Sequence, residues 1–151
     1  MFGFAEDRET DELHKKATAL KKDGLINEAI DVLYQVKERM LVSEVCYQAT
    51  QWTRLPKFLQ MAGRFNEAIK ELEFLISDID RRLDYYNKGI SKNIINRSKN
   101  FDLAEIYKAM SLIYKRENKK EESLKFEQLS YKYADNAYRS LQRSQNKKLP
   151  K

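Results

Sequence analysis

The stretch LKKDGLINEAIDVL (Leu20–Leu33) returns 39 residues later as LQMAGRFNEAIKEL (Leu59–Leu72), with seven of fourteen positions identical. In each copy an apolar pattern of helical spacing runs into a glycine, Gly24 or Gly63, and restarts just after it. A glycine closing a periodic segment is a helix C-terminal signal, because it adopts the left-handed backbone without a Cβ clash. Asn27 suits an N-cap and Glu28 suits a first helical turn. A helix-turn-helix junction is therefore expected twice.

The rest of the chain agrees. Four glycines and two prolines in 151 residues are too few for a turn-rich β fold. The apolar spacing predicts a helix over 10–22 with Leu13, Ala17 and Leu20 inward, and a second over 27–40 with Ala29, Ile30, Leu33 and Val36 inward. Ser43 should cap a third, which carries Val45, Ala49, Trp52, Leu55 and Leu59 to Gly63 and kinks at Pro56. A long fourth should start near Asn66 and reach Tyr86. The polar segment 87–100, with Gly89, reads as a loop or mobile insertion, while Ile90, Ile94 and Ile95 leave a helical continuation open. Helices over 102–115 and 121–141 should follow, the last turning Leu124, Phe126, Leu129, Tyr133 and Ala137 inward. Residues 1–142 should form one domain, and 143–151 a disordered basic tail.

The second copy contains Trp52-x2-Leu55, then Leu59, Gly63, Ala68 and Leu72. This resembles the tetratricopeptide repeat, with its W-x2-L-G-x2-Y and A-x3-F pattern. The first copy fits as Leu13, Ala17, Leu20, Gly24, Ala29 and Leu33. A degenerate third fits as Tyr107, Met110, Ser111, Tyr114, Asn118 and Ser123. Ala17 and Ala29, and Ser111 and Ser123, are expected where two helices cross. The spacings, 39 and then 55 residues, depart from the family's period of about 34. The terminal proline of the pattern is absent, Pro56 replaces a small residue, and Glu127 occupies an apolar position that Phe126 beside it can take over. The resemblance implies an all-α fold, a right-handed stack of antiparallel helical hairpins (an α-solenoid) of about six helices.

It also implies a non-enzymatic module that binds a peptide or partner helix in a concave groove lined by each hairpin's first helix. Carried over by position, the groove would hold Asp11, His14, Thr18, Lys21 and Lys22; then Thr50, Thr53, Lys57, Gln60 and Met61; then Glu105, Lys108, Leu112, Lys115 and Arg116. Six of these fifteen are Lys or Arg and two are acidic, so an acidic partner is the natural complement. Chaperone-binding members clamp a terminal carboxylate with set Lys, Asn and basic positions. Here those positions read His14, Thr18, Arg54, Glu105 and Ala109, and the clamp is not expected.

Other classes find little footing. Cys46 is the lone cysteine, so there is no internal disulfide and no cysteine-rich zinc site. His14, the sole histidine, belongs to no ligand motif and reads as a surface residue, and Cys46 reads as a small packed hydrophobe. No phosphate loop, Rossmann glycine pattern or HExxH occurs, so no enzyme, cofactor or metal is expected. The start MFGFAEDRETDE lacks a signal-peptide pattern, and no run approaches the roughly 18 apolar residues of a membrane span. A cytoplasmic protein is expected. The net charge of +6 lies entirely in 115–151, which carries 11 basic and 5 acidic residues. That surplus, with Tyr131, Tyr133 and Tyr138, supports a rival reading as a nucleic-acid-associated protein. Self-association through the last helix is a further expectation.

Overall fold

A computed structural model describes residues 3–148, with the side chains of all but 3–7, 86, 147 and 148. The helices are α1 (Gly3–Lys22), α2 (Ile26–Val42), α3 (Ala49–Trp52), α4 (Arg54–Met61), α5 (Phe65–Ser77), α6 (Ile79–Tyr86), α7 (Lys92–Arg116) and α8 (Lys120–Lys148). No strand occurs among the described residues, and no helix is long and apolar enough to cross a membrane. The fold divides into two compact units, Met1–Glu73 and Phe74–Lys151.

The repeated junction is a repeated backbone. After α1, Gly24 N–H donates to Lys21 C=O at 3.0 Å and Leu25 N–H to Leu20 C=O at 2.8 Å. After α4, Gly63 donates to Gln60 at 3.0 Å and Arg64 to Leu59 at 2.8 Å. After α7, Asn118 donates to Lys115 at 3.0 Å and Lys119 to Tyr114 at 2.9 Å. These are Schellman closures, in which one left-handed residue turns the last carbonyls onto new donors. The left-handed residues are Gly24 (φ 82), Gly63 (φ 77) and Asn118 (φ 59). The next helix begins identically each time: Ala29 N–H bonds to Leu25 C=O, Ala68 to Arg64 and Ser123 to Lys119, all at 3.0 Å.

In the first unit α1 packs along α2, and α2 packs on α4. Ala17, Ala29, Ile30, Leu33, Val36, Leu59, Ala68 and Leu72 are buried. Ala17 and Ala29 are fully buried, as expected of small residues that let two helices approach. Lys37 on α2 pairs with Glu71 on α5 at 2.7 Å. The expected third helix does not start at Ser43. Residues 43–48 are non-helical, and the Ser43 hydroxyl accepts from Val45 N–H at 3.1 Å. The Pro56 kink appears as a break at Thr53, between α3 and α4. Proline has no N–H to offer the Trp52 carbonyl, and its ring disfavours a helical residue just upstream.

In the second unit α7 packs along α8, and α6 packs on α7. At their crossing Ser111 Oγ donates to Ser123 C=O at 2.8 Å and Ser123 Oγ to Ser111 C=O at 2.9 Å. Each helix backbone thus accepts the other's hydroxyl. Tyr107 stacks on Phe126 and Tyr133, with centroids 6.0 and 5.6 Å apart, and Tyr114 stacks on Phe126 at 5.1 Å. Phe126 fills the seam beside Glu127, as expected. Leu124 does not turn inward. It is 58% exposed, because the buried Ser123 takes the seam position.

The long fourth helix is interrupted at Asp78 between α5 and α6. Ser77 Oγ bonds back to Phe74 C=O at 2.9 Å, a competition with the helix ladder that bends helices. Of the two readings open for 87–100, the loop holds over 87–91 and the helical continuation from Lys92, where Ser91 caps α7 by accepting from Ile94 N–H at 3.4 Å. Lys99 reaches Asp80 and Asp84 on α6, both at 2.9 Å, which anchors a segment whose own composition is loop-like. From 143, where disorder was expected, α8 continues to Lys148. There Arg97 Nη2 donates to Ser144 Oγ at 2.6 Å. Residues 149–151 lie outside the described residues.

Arg82 is buried, donating to Leu75 C=O at 2.9 Å and to Asp102 at 2.9 Å, with Asp78 at 3.5 Å. Burial pushes the Asp102 carboxyl above its ordinary range, and the Arg82 hydrogen bond offsets this only in part. Such a pair costs much to break and little to replace by apolar residues. Asp102→Leu should therefore destabilise the chain by about 3 kcal/mol, and adding Arg82→Met should recover most of that loss. Urea denaturation of the single and double variants measures both. A Cβ at Gly24 or Gly63 would meet nothing within 4 Å, so the penalty there is backbone alone. Gly24→Ala and Gly63→Ala should each cost about 1 kcal/mol, whereas Asn118→Gly should be neutral or stabilising.

Candidate functional site

The inward stripe of α1 runs Thr10, Leu13, His14, Ala17, at helical spacing. His14 is 9% exposed, not the surface residue its isolation in the sequence suggests. Arg54, in the first turn of α4, reaches it across 40 residues of sequence. Its Nη1 lies 2.7 Å from His14 Nδ1 and 3.1 Å from His14 C=O, and its Nη2 donates to Thr18 Oγ1 at 2.6 Å. Thr18 Oγ1 in turn donates to His14 C=O at 3.1 Å. One cluster thus joins α1 to α4.

Protonation follows from the partners. A guanidinium only donates, so His14 Nδ1 accepts and the ring proton sits on Nε2. Burial, and then the Arg54 charge, lower the His14 pKa to about 4, with Asp11 opposing them. The imidazole is therefore neutral at pH 7. Nε2 is buried with no hydrogen-bond partner among the described residues.

The cluster is cationic without a counter-charge. Arg54 lies 5.3 Å from the Phe58 ring centroid, and Lys21 Nζ lies 5.2 Å from the same centroid. Among the described residues no carboxylate comes within ion-pair distance of either cation. The contacts to His14 and Thr18 use three of the five guanidinium donors and leave two.

The expected groove residues divide between the two units. His14, Thr18 and Lys21 share one stripe of α1, and Lys22 is exposed beside them. Thr53 is 2% exposed, held as the junction between α3 and α4 rather than facing solvent. Lys57 and Gln60 are half-buried on α4. Lys108, Lys115 and Arg116 are exposed on one side of α7, in the second unit. Arg54 and Phe58 are missing from the sequence-derived groove, although their spacing of four residues places them on one helix face.

A separate cavity of about 780 Å³ lies between α1 and residues 45–51, with Arg8, Lys15, Asp11, Glu12 and Cys46 in its wall. Cys46 is exposed, not packed as a small hydrophobe. No group of three or more His, Cys, Asp or Glu side chains that could hold a metal occurs among the described residues.

The His14 shift has a consequence for stability. The folded pKa lies below the unfolded value of about 6.5, so the unfolded chain binds the proton more readily. Stability contributed by neutral His14 is complete above pH 6.5 and is lost as pH falls toward 4. Wild-type protein should lose roughly 2–3 kcal/mol over that window beyond what a His14→Gln variant loses. Denaturation of both proteins from pH 4 to 7.5 measures the difference. No protein-family model, curated protein or solved structure matches the chain, so the cluster is interpreted from its geometry alone.

Proposed function

We propose that the chain is a tetratricopeptide-like stack of helical hairpins that binds an acidic peptide or helix against the α1 and α4 face around Arg54. The observation that carries this reading is a half-buried guanidinium, positioned by His14 and Thr18, with only neutral partners and two unspent donors among the described residues. A desolvated arginine fixed in one orientation is a ready bidentate partner for a carboxylate. Lys21 and the Phe58 ring beside it add a second cation and an apolar floor. The three matching Schellman junctions support the hairpin stack, since each turns the chain into a new helix at an equivalent place.

The role is recognition, not catalysis. His14 is neutral and shielded, and its Nδ1 is occupied by Arg54, so it is poorly placed to shuttle protons.

A fluorescein-labelled, glutamate-rich peptide of about a dozen residues tests the reading by anisotropy at low and physiological salt. Binding is expected to weaken at least tenfold in Arg54→Ala and less in Lys21→Ala. A charge-matched lysine-rich peptide should not bind. Affinity for the acidic peptide that is unchanged by Arg54→Ala would remove this site from consideration.

A further inference from the structure

The second unit holds a polar pocket that the peptide-binding reading does not use. It has a volume of about 280 Å³ and lies between the first turns of α7 and the last third of α8. Three arginines line it, Arg97 from α7 and Arg139 and Arg143 from α8, and no acidic residue does. The side-chain amides of Asn93, Asn96 and Asn136 add neutral donors.

The arginines are unevenly compensated. Arg97 Nε donates to Ser140 Oγ at 3.3 Å, and its Nη2 donates to Ser140 C=O at 3.3 Å and Ser144 Oγ at 2.6 Å. All three acceptors are neutral, and Nη1 keeps both its N–H groups. Arg143 makes no hydrogen bond or ion pair among the described residues. Arg139 alone has a carboxylate, Asp135 at 2.9 Å through Nε. The serines orient Arg97 and leave its charge unanswered.

We infer that this pocket binds a tetrahedral oxyanion, either orthophosphate or the phosphate of a small monoester. Donors enter from two helices and from different directions. A planar carboxylate offers two oxygens in one plane, whereas a phosphate offers acceptors on every side, and arginine is the side chain best matched to it. The volume falls just under the roughly 300 Å³ at which drug-sized ligand pockets begin. It suits a phosphate with its ordered waters or a small attached group. Arg97 is the anchoring group, Arg143 closes over the anion, and the asparagine amides complete its shell.

The full chain is titrated with sodium phosphate and, separately, with glycerol 1-phosphate, each at fixed ionic strength against sodium chloride. The readouts are the side-chain N–H resonances of arginine and asparagine and the thermal midpoint. Saturable shifts with phosphate, a raised midpoint, and no such response to chloride are expected. Tighter binding of the ester identifies a phosphorylated small molecule as the ligand, and tighter binding of orthophosphate identifies the free ion. Arg97→Gln should weaken either affinity about tenfold or more. Arg143→Gln removes a side chain with no hydrogen bond or ion pair among the described residues, so it should fold normally and also weaken binding. A response equal to that of chloride, or one that persists unchanged in Arg143→Gln, overturns the assignment.

Discussion

The architecture depends on one backbone event, the reversal of a helix through a single left-handed residue. Once the last carbonyls of a helix are satisfied by the residues that follow, the chain can start a new helix within three residues and run back along the first. Gly24, Gly63 and Asn118 perform that reversal with nearly the same hydrogen-bond lengths. Asparagine is the one non-glycine substitute that costs little there, because its short polar side chain tolerates the left-handed region. The first and last reversals set two amphipathic helices side by side, α1 with α2 and α7 with α8, and packing then requires small groups where they cross. Ala17 and Ala29 are fully buried in the first hairpin, and Ser111 and Ser123 meet in the last.

The serine crossing shows how polarity is admitted into a tight seam. Two hydroxyls each donate to the other helix's backbone, so neither is left unsatisfied and the helices are cross-linked as well as close. Arg82 follows a harsher version of the same rule. Its guanidinium is buried against a backbone carbonyl and two carboxylates, which resolves the cost of burial without turning it into net stabilisation. Arg54 and Arg97 contrast with it. Both are oriented by neutral oxygen or nitrogen acceptors and have no carboxylate partner among the described residues. A cation held in place but left electrostatically unanswered is better suited to an external anion than to holding the fold together.

The expected sites were partly legible for the same reason. His14, Thr18 and Lys21 share a face through the helical period alone. What they face is set 40 residues away, by the break at Thr53 that aims Arg54 back at α1. A lone histidine in a polar sequence context reads as exposed, and only the packing of α4 buries it. The segment 87–100 likewise reads as loop from its composition, yet Arg97 and Lys99 are held by α8 and α6, and long-range contacts outweigh weak local propensity.

The all-α class, the two glycine junctions and the small residues at the crossings follow from the order of residues along the chain. Those features rest on periodicity and backbone sterics, which act over a few neighbouring residues. Tertiary structure alone decided the burial of His14, the seam register that exposes Leu124, the helical extension through 92–100 and 143–148, and the partners of Arg54 and Arg97. Each of these depends on contacts between residues 12 or more positions apart, and no local pattern encodes which distant side chain will arrive.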